Sequence, residues 1–182
     1  NTSLVAVALF NGIAQGSQPL ISRSYGRGEE QNVRSLLKMA LTTALGLGVL
    51  LMIFIFFSAP AVTAVFNSEH DLQLAAYADS GLRLYFIGFL FAGINIVGTA
   101  ALSAVESVKY AFCASISRGF VATIFFAFVL SACFKMTGIW LAFPAAEFAT
   151  MFITLSDYSC FTKQKGGMYH AKELSRQTQT RL

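Results

Sequence analysis

The chain has 182 residues, 55% of them hydrophobic and only 12% charged, and a formal net charge of +4. A soluble domain carries about 25% charged residues, so a water-soluble globule is excluded. Eighteen Phe against one Trp suit lipid-facing helices, and the positive balance reflects membrane topology rather than nucleic-acid binding.

A helix needs about 20 apolar residues to cross the hydrocarbon core. Charge-poor runs predict five such spans, at roughly residues 2–24, 35–58, 83–105, 114–134 and 138–160. The expected fold is an all-α membrane protein: a bundle of five transmembrane helices over residues 1–162, then a basic cytoplasmic tail over 163–182.

In the first span, Asn11, Gln15, Gln18, Ser22 and Tyr25 recur at alternating steps of four and three, which places them on one helical face. Gly12, Gly16 and Pro19 lie beside that stripe. Small residues four apart admit a close-packed neighbour. Pro19 frees the carbonyl of Gln15, which predicts a bend. Such a helix belongs inside a bundle, either bordering a wet cavity or using its amides as glue between helices.

The second span, within Met39–Ser68, carries no charge, and the loop after it holds the acidic Glu69, Asp71 and Asp79. The third span repeats the polar pattern with Gly88, Ala92, Asn95, Thr99, Ser103 and Glu106 on one stripe and Phe91 at its edge. Asn95 lies deep and needs a partner, whereas Glu106 falls at the span end, within reach of water. Arg83 and Arg118, at span ends, are expected to snorkel and set topology.

In the fifth span, Trp140, Phe143, Glu147, Thr150, Thr154 and Asp157 sit at spacings of three and four. Glu147 lies near the middle. A charge at that depth costs about 2.5–3.5 kcal/mol on insertion scales, so it must be protonated, paired or exposed to a water-filled cavity. The sharper expectation is an ion- or substrate-binding carboxylate, with Trp140 and Phe143 holding a flat organic cation by cation–π attraction. The plainer one is a structural pair with an amide such as Gln15 or Asn95. Pro144 loosens the backbone at the same level and predicts a second bend.

If the first span runs inward, every Lys and Arg except Arg83 and Lys135 falls on one side of the membrane. The positive-inside rule then puts the C-terminus in the cytoplasm of a multi-pass plasma-membrane protein. No charged n-region with a small-residue cleavage site precedes the first span, so it is not a signal peptide. The opening Asn1 and the outside N-terminal end suggest a truncation, with earlier spans missing.

Cys113, Cys133 and Cys160 are solitary, and His70 and His170 fall in a loop and the tail. Neither a metal nor a disulfide is expected, and no bound cofactor. Gly26-Arg27-Gly28 lacks the strand and the further glycines of a phosphate loop, so no nucleotide site is expected. With no nucleophile–base pair in the sequence, an enzyme is not expected either.

The stretch Gly12-Ile-Ala-Gln-Gly-Ser-Gln-Pro-Leu-Ile-Ser-Arg-Ser-Tyr-Gly26 resembles a G-x-x-x-G-x-Q-P-L-I…Y-G pattern of the multidrug and toxic compound extrusion (MATE) family. Gly93-Ile-Asn-Ile-Val-Gly98, Ser103-Ala-Val-Glu-Ser107, Arg118-Gly119 and Gly138-Ile-Trp-Leu-Ala-Phe-Pro-Ala-Ala-Glu147 are similar to further family segments, while Ala101-Leu-Ser103 departs from them. The resemblance implies a twelve-helix transporter in two lobes of six, with this chain forming most of the C-terminal lobe and an N-terminal lobe as partner. It implies exchange of H⁺ or Na⁺ for small organic cations by alternating access, and cavity-facing roles for Gln15, Gln18, Asn95 and Glu147. Membrane lipids surround such a protein, and nucleic acid is not a partner. The alternatives are a lipid-linked precursor or polysaccharide flippase of related fold, which needs a more basic cavity, or an inactive structural fragment.

Overall fold

The computed structural model describes the backbone of residues 2–66 and 72–179, and the side chains of residues 2–65 and 75–156. Glu69, His70, Asp71, Asp157, Cys160, His170 and the basic side chains of the tail lie outside the described residues. The described elements are all helical.

Helix α1 (Thr2–Gly26) continues through Pro19. The proline removes one hydrogen bond, to the Gln15 carbonyl, and the helix tolerates that single loss. The chain then turns through Gly28, whose φ of +74° needs a residue without a Cβ. Glu29 N–H donates to Ser24 O and Gly28 N–H to Tyr25 O, the bond pair of a Schellman cap. The Gly26-Arg27-Gly28 tract is thus a helix stop.

Helix α2 (Glu30–Phe66) overruns its predicted span at both ends. It touches the middle of the bundle through Gly48, where an added Cβ would lie 3.0 Å from Phe89 O and 3.3 Å from Leu90 Cα. In a bilayer such backbone approach, rather than exclusion of water, holds helices together.

The span predicted at 83–105 needs correction. It consists of two helices, α3 (Leu72–Ile87) and α4 (Phe89–Ala104), bent by 41° at Gly88. Helix α3 begins earlier than hydropathy suggests because it carries its charges in a pair, Asp79 with Arg83. Helix α4 is the hub: Phe89, Ala92, Gly93, Asn95, Ile96, Val97, Ala101, Leu102 and Ala104 are buried, and it packs on α1, α2, α3, α5 and α6. Its small residues make those approaches possible. One core cluster joins Phe10, Ala44, Ile55, Phe86 and Phe89; a second, toward the other end of α4, joins Ile21, Leu37, Ala101 and Val105.

Helix α5 (Val108–Ile116) passes into a π-helical segment, Ser117–Ala122, and then into α6 (Thr123–Gln179). Helix α6 doubles back at Lys135 (φ 52°, ψ −124°). The two arms meet so closely that a Cβ on Gly138 would sit 1.9 Å from Leu130 O, so only glycine fits there. Among the described residues five passes result, as expected: α1, α2, the bent α3–α4 pair, Val108 to Lys135, and the arm beyond it. That last arm remains helical through Pro144; sharp breaks fall at Gly88 and Lys135. Phe57, Phe112, Phe120, Phe128 and Phe152 stand exposed on the outside, as a lipid-facing surface requires.

Candidate functional site

The polar stripes of α1 and α4 face one cleft. Its volume is about 620 Å³, and its lining includes Asn11, Gln15 and Gln18 from α1, Thr99 and Ser103 from α4, and Phe143 and Glu147 from α6. The structure therefore brings together the amide row near the chain's start and the carboxylate near its end. It also places there Arg118 and Thr123, from the π segment and the start of α6, and Ser115 from α5.

Glu147 is the buried anchor of the cleft, its side chain only 4% exposed. Arg118 Nε donates to its Oε1 at 2.7 Å. Asn95 Nδ2 donates to its Oε2 at 2.7 Å and also lies 2.9 Å from both Glu147 O and Thr150 Oγ1. Two amide hydrogens are thus shared among three acceptors on one turn of α6. Asn95 is fully buried, and its Oδ1 takes no hydrogen bond among the described residues. Thr150 donates onward to Ala146 O at 2.9 Å, which leaves its oxygen turned toward the Asn95 amide. The burial cost of the Glu147 charge is met by a cation and a donor together, the condition under which a buried ion pair is tolerated.

Arg118 corrects the sequence-based expectation. It does not sit at a span end: α5 starts at Val108 and places it about three turns into the pass. The π segment turns it inward, because its wider winding shifts the face on which later residues fall. Thr123 Oγ1 donates to Arg118 O at 2.9 Å across the irregular winding. The clue was in the sequence: the run from Tyr110 to Ile116 ahead of Arg118 is nearly all apolar, so the arginine already lies inside the pass.

Trp140 also departs from expectation. It packs over Gly81 of α3, where a Cβ would come within 2.3 Å of the indole, and it does not line the cleft. The stripe from Trp140 to Thr154 is a helix–helix seam, meeting Gly81, then Gly88, Asn95 and Gly98 in register. Only Phe143 and Glu147 of that stripe also reach the cleft. Phe143 stacks on Tyr85, with ring centroids 4.3 Å apart at 16°, and tilts against Phe89 at 5.3 Å. Tyr85, not anticipated from the sequence, therefore backs the aromatic wall. The glycine seam of α1 is not a packing surface among the described residues: none of them lies within 4 Å of a Cβ on Gly12 or Gly16. Glu106 is exposed and caps α4 in a left-handed conformation, φ 60°. Among the described residues no cluster of metal-ligating side chains occurs.

The family model described as MatE matches residues 1–129. No curated protein matches the chain. The fold is similar to the inward-facing conformation of a multidrug resistance MATE family transporter of the MOP superfamily: TM-score 0.84, 16% identity, 91% of this chain and 38% of that one. It is similar to the outward-facing conformation at TM-score 0.83 and 15% identity, covering 91% of this chain and 37% of that one. A crystal structure of MATE in complex with MaL6 gives TM-score 0.81 and 15% identity, over 91% of this chain and 38% of the other. The chain thus spans a little over a third of the transporters whose fold it shares.

Proposed function

This chain belongs to the MatE family, and we propose that it forms most of one lobe of a secondary active exporter in the plasma membrane. That exporter moves small organic compounds, cations among them, against H⁺ or Na⁺ by alternating access. The observation that carries the proposal is the cleft itself, a drug-sized cavity at the depth of the spans, lined by three amides and holding a buried carboxylate. A membrane protein has no structural need to keep such a hollow polar, and intramembrane ionisable groups mark ion and substrate pathways.

In this mechanism Glu147 has two alternative partners, Arg118 and the coupling ion. Loading the carboxylate with H⁺ or Na⁺ weakens its hold on Arg118, and loss of the ion restores the pair. The change is transmitted along α6, because Asn95 of α4 grips the same turn. The likeness to an inward-facing and an outward-facing transporter is nearly equal. That supports a lobe which keeps its shape while it rocks against a companion lobe. A flippase for a pyrophosphate-linked lipid would need excess positive charge, whereas here one arginine is matched by one carboxylate.

Efflux of a fluorescent organic cation from proteoliposomes, driven by an imposed pH gradient and then by a sodium gradient, tests the proposal. Glu147→Gln in the full-length protein, which keeps the shape of the side chain, is expected to abolish coupled efflux while the protein still inserts and folds, with an unfolding midpoint lowered by the loss of the counter-charge to Arg118. Efflux at the wild-type rate would remove Glu147 from the mechanism. The gradient that drives the wild type identifies the coupling ion.

A further inference from the structure

Helix α2 leaves one flank uncovered over half its length. Arg34, Lys38, Leu45, Val49 and Phe56 fall within about 60° of one another on that flank, at roughly 100° per residue. Toward Phe66 the flank meets α3, where Arg83 lies over the Phe56 ring at 5.0 Å. Helix α3 stops at Ile87 and the flank runs on past it, with Leu45 44% and Val49 37% exposed. Helices α2 and α6 share no packed interface, while both pack on α4. Beyond Ile87 they therefore form the two walls of a furrow floored by α4. Half-buried Ile94 lies on that floor, on the side of α4 turned away from Thr99 and Ser103 of the cleft. The α6 wall is aromatic: Phe91 of α4 meets Phe148 at 5.1 Å, and Phe148 meets Phe152 at 5.0 Å, between ring centroids.

At the end of the bundle that the positive-inside rule assigns to the cytoplasm, the flank turns from apolar to basic with Lys38 and Arg34. Both are exposed, and among the described residues neither side chain is held in an ion pair or hydrogen bond. The neighbouring Glu29 is engaged by Arg27 and Asn32 instead. From Lys38 to Val49 the helix rises about 16 Å, the depth of one leaflet of a hydrocarbon core about 30 Å thick. Two unpaired cations at headgroup level above a leaflet-deep apolar slot match a molecule with an anionic head and an acyl chain. We propose that the furrow is a binding site for one anionic phospholipid, its phosphate on Arg34 and Lys38 and an acyl chain between Leu45 and Phe148. A zwitterionic lipid is disfavoured, because its headgroup brings a cation of its own to the two already there. A companion lobe that closes over the cleft leaves this site open to the bilayer, since the two lie on different sides of α4.

Native mass spectrometry of the full-length protein, titrated in detergent with dioleoylphosphatidylglycerol or dioleoylphosphatidylcholine, reads the affinity for the first lipid bound. The wild type is expected to prefer phosphatidylglycerol by roughly twenty-fivefold, about fivefold from each cation. Arg34→Gln combined with Lys38→Gln should bring that preference to within about twofold. Both residues are exposed, so the unfolding midpoint of this variant should stay at the wild-type value. Lys163→Gln combined with Lys165→Gln removes the same charge from the tail and should leave the preference unchanged. Leu45→Trp fills the slot beneath intact cations and should weaken the first phosphatidylglycerol severalfold. Equal affinity for the two lipids in the wild type overturns the proposal without a variant being needed. An equal loss in the tail variant shows diffuse attraction to a basic surface and overturns the assignment to α2. Undiminished binding in Leu45→Trp overturns the furrow as the seat of the acyl chain. Each of these failures leaves the exporter proposal standing, because Glu147 and the cleft take no part in the site.

Discussion

Arg83 and Arg118 each meet a carboxylate inside the bundle, Asp79 at 3.2 Å and Glu147 at 2.7 Å. The first pair lies four residues apart on α3, with side chains 35% and 29% exposed. It lets a helix carry its charges into the membrane boundary, and it would form on that helix whatever the rest of the bundle did. Arg83 also sits over the Phe56 ring at 5.0 Å, so α2 supports it. The second pair joins the π segment to α6 across 29 residues and is tied to α4 through Asn95. It cannot form until three elements are in place. Similar chemistry therefore does local work in one place and records the tertiary arrangement in the other. A charge in a span is informative in proportion to the sequence distance of its partner.

The contrast is broken most directly by removing the two acids. Glu147→Ala leaves the Arg118 cation largely desolvated with no counter-charge, and removing one member of a buried pair costs about 3 kcal/mol or more. The loss should appear as a lower unfolding midpoint in detergent. A double-mutant cycle between Glu147→Ala and Arg118→Ala should give a coupling of at least about 1.5 kcal/mol, because the second truncation relieves the damage of the first. An equally large coupling between Asp79 and Arg83 would abolish the distinction.

Asn95→Leu sharpens the comparison by leaving both charges of the second pair and taking away the donor that steadies the acid. The substitution strands Glu147 Oε2 and Thr150 Oγ1 without their shared amide, and an orphaned buried acceptor costs about 1–3 kcal/mol. A stability change near 2 kcal/mol is expected, with Arg118 still beside Glu147. No change would mean that Arg118 alone sustains the buried carboxylate.

Much of this site was legible in the sequence because helical periodicity is a strong constraint. Steps of three and four place Asn11, Gln15 and Gln18 on one face of α1, and Thr99 and Ser103 on one face of α4, wherever those helices go. The depth of Glu147 follows from the apolar run around it, and so does its need for a partner; the family motifs around Gly12 and Gly138 pointed to the MatE family. What periodicity cannot reveal is a change of period. Arg118 enters the cleft from a π-wound segment, and no count at 3.6 residues per turn predicts that direction. Periodicity is also silent about what a face meets along its length. Trp140 shares the stripe of Glu147, yet at its level the neighbour is Gly81, and the ring fills that gap. The break at Gly88 was hidden for a related reason: hydropathy records how apolar a segment is, and a bent pair of helices is as apolar as a straight one.

Asp79→Asn should give the smallest effect and is the control on which the contrast depends. The acid precedes the arginine by four residues, the favourable order on a helix, and both groups remain partly open to solvent. Exposed pairs of this kind are worth about 0.3–0.5 kcal/mol. Asparagine keeps a hydrogen-bond acceptor for Arg83, and Phe56 continues to face its guanidinium, so the loss should stay below about 0.5 kcal/mol. Whatever loss is measured at low ionic strength should shrink in about 1 M salt, where the screening length falls to roughly 3 Å. The loss in Glu147→Ala should persist there, since salt does not reach a carboxylate whose side chain is 4% exposed. Unfolding midpoints of the two variants at low and high salt, read side by side, separate a pair that merely accompanies its helix from one that three elements were assembled to make.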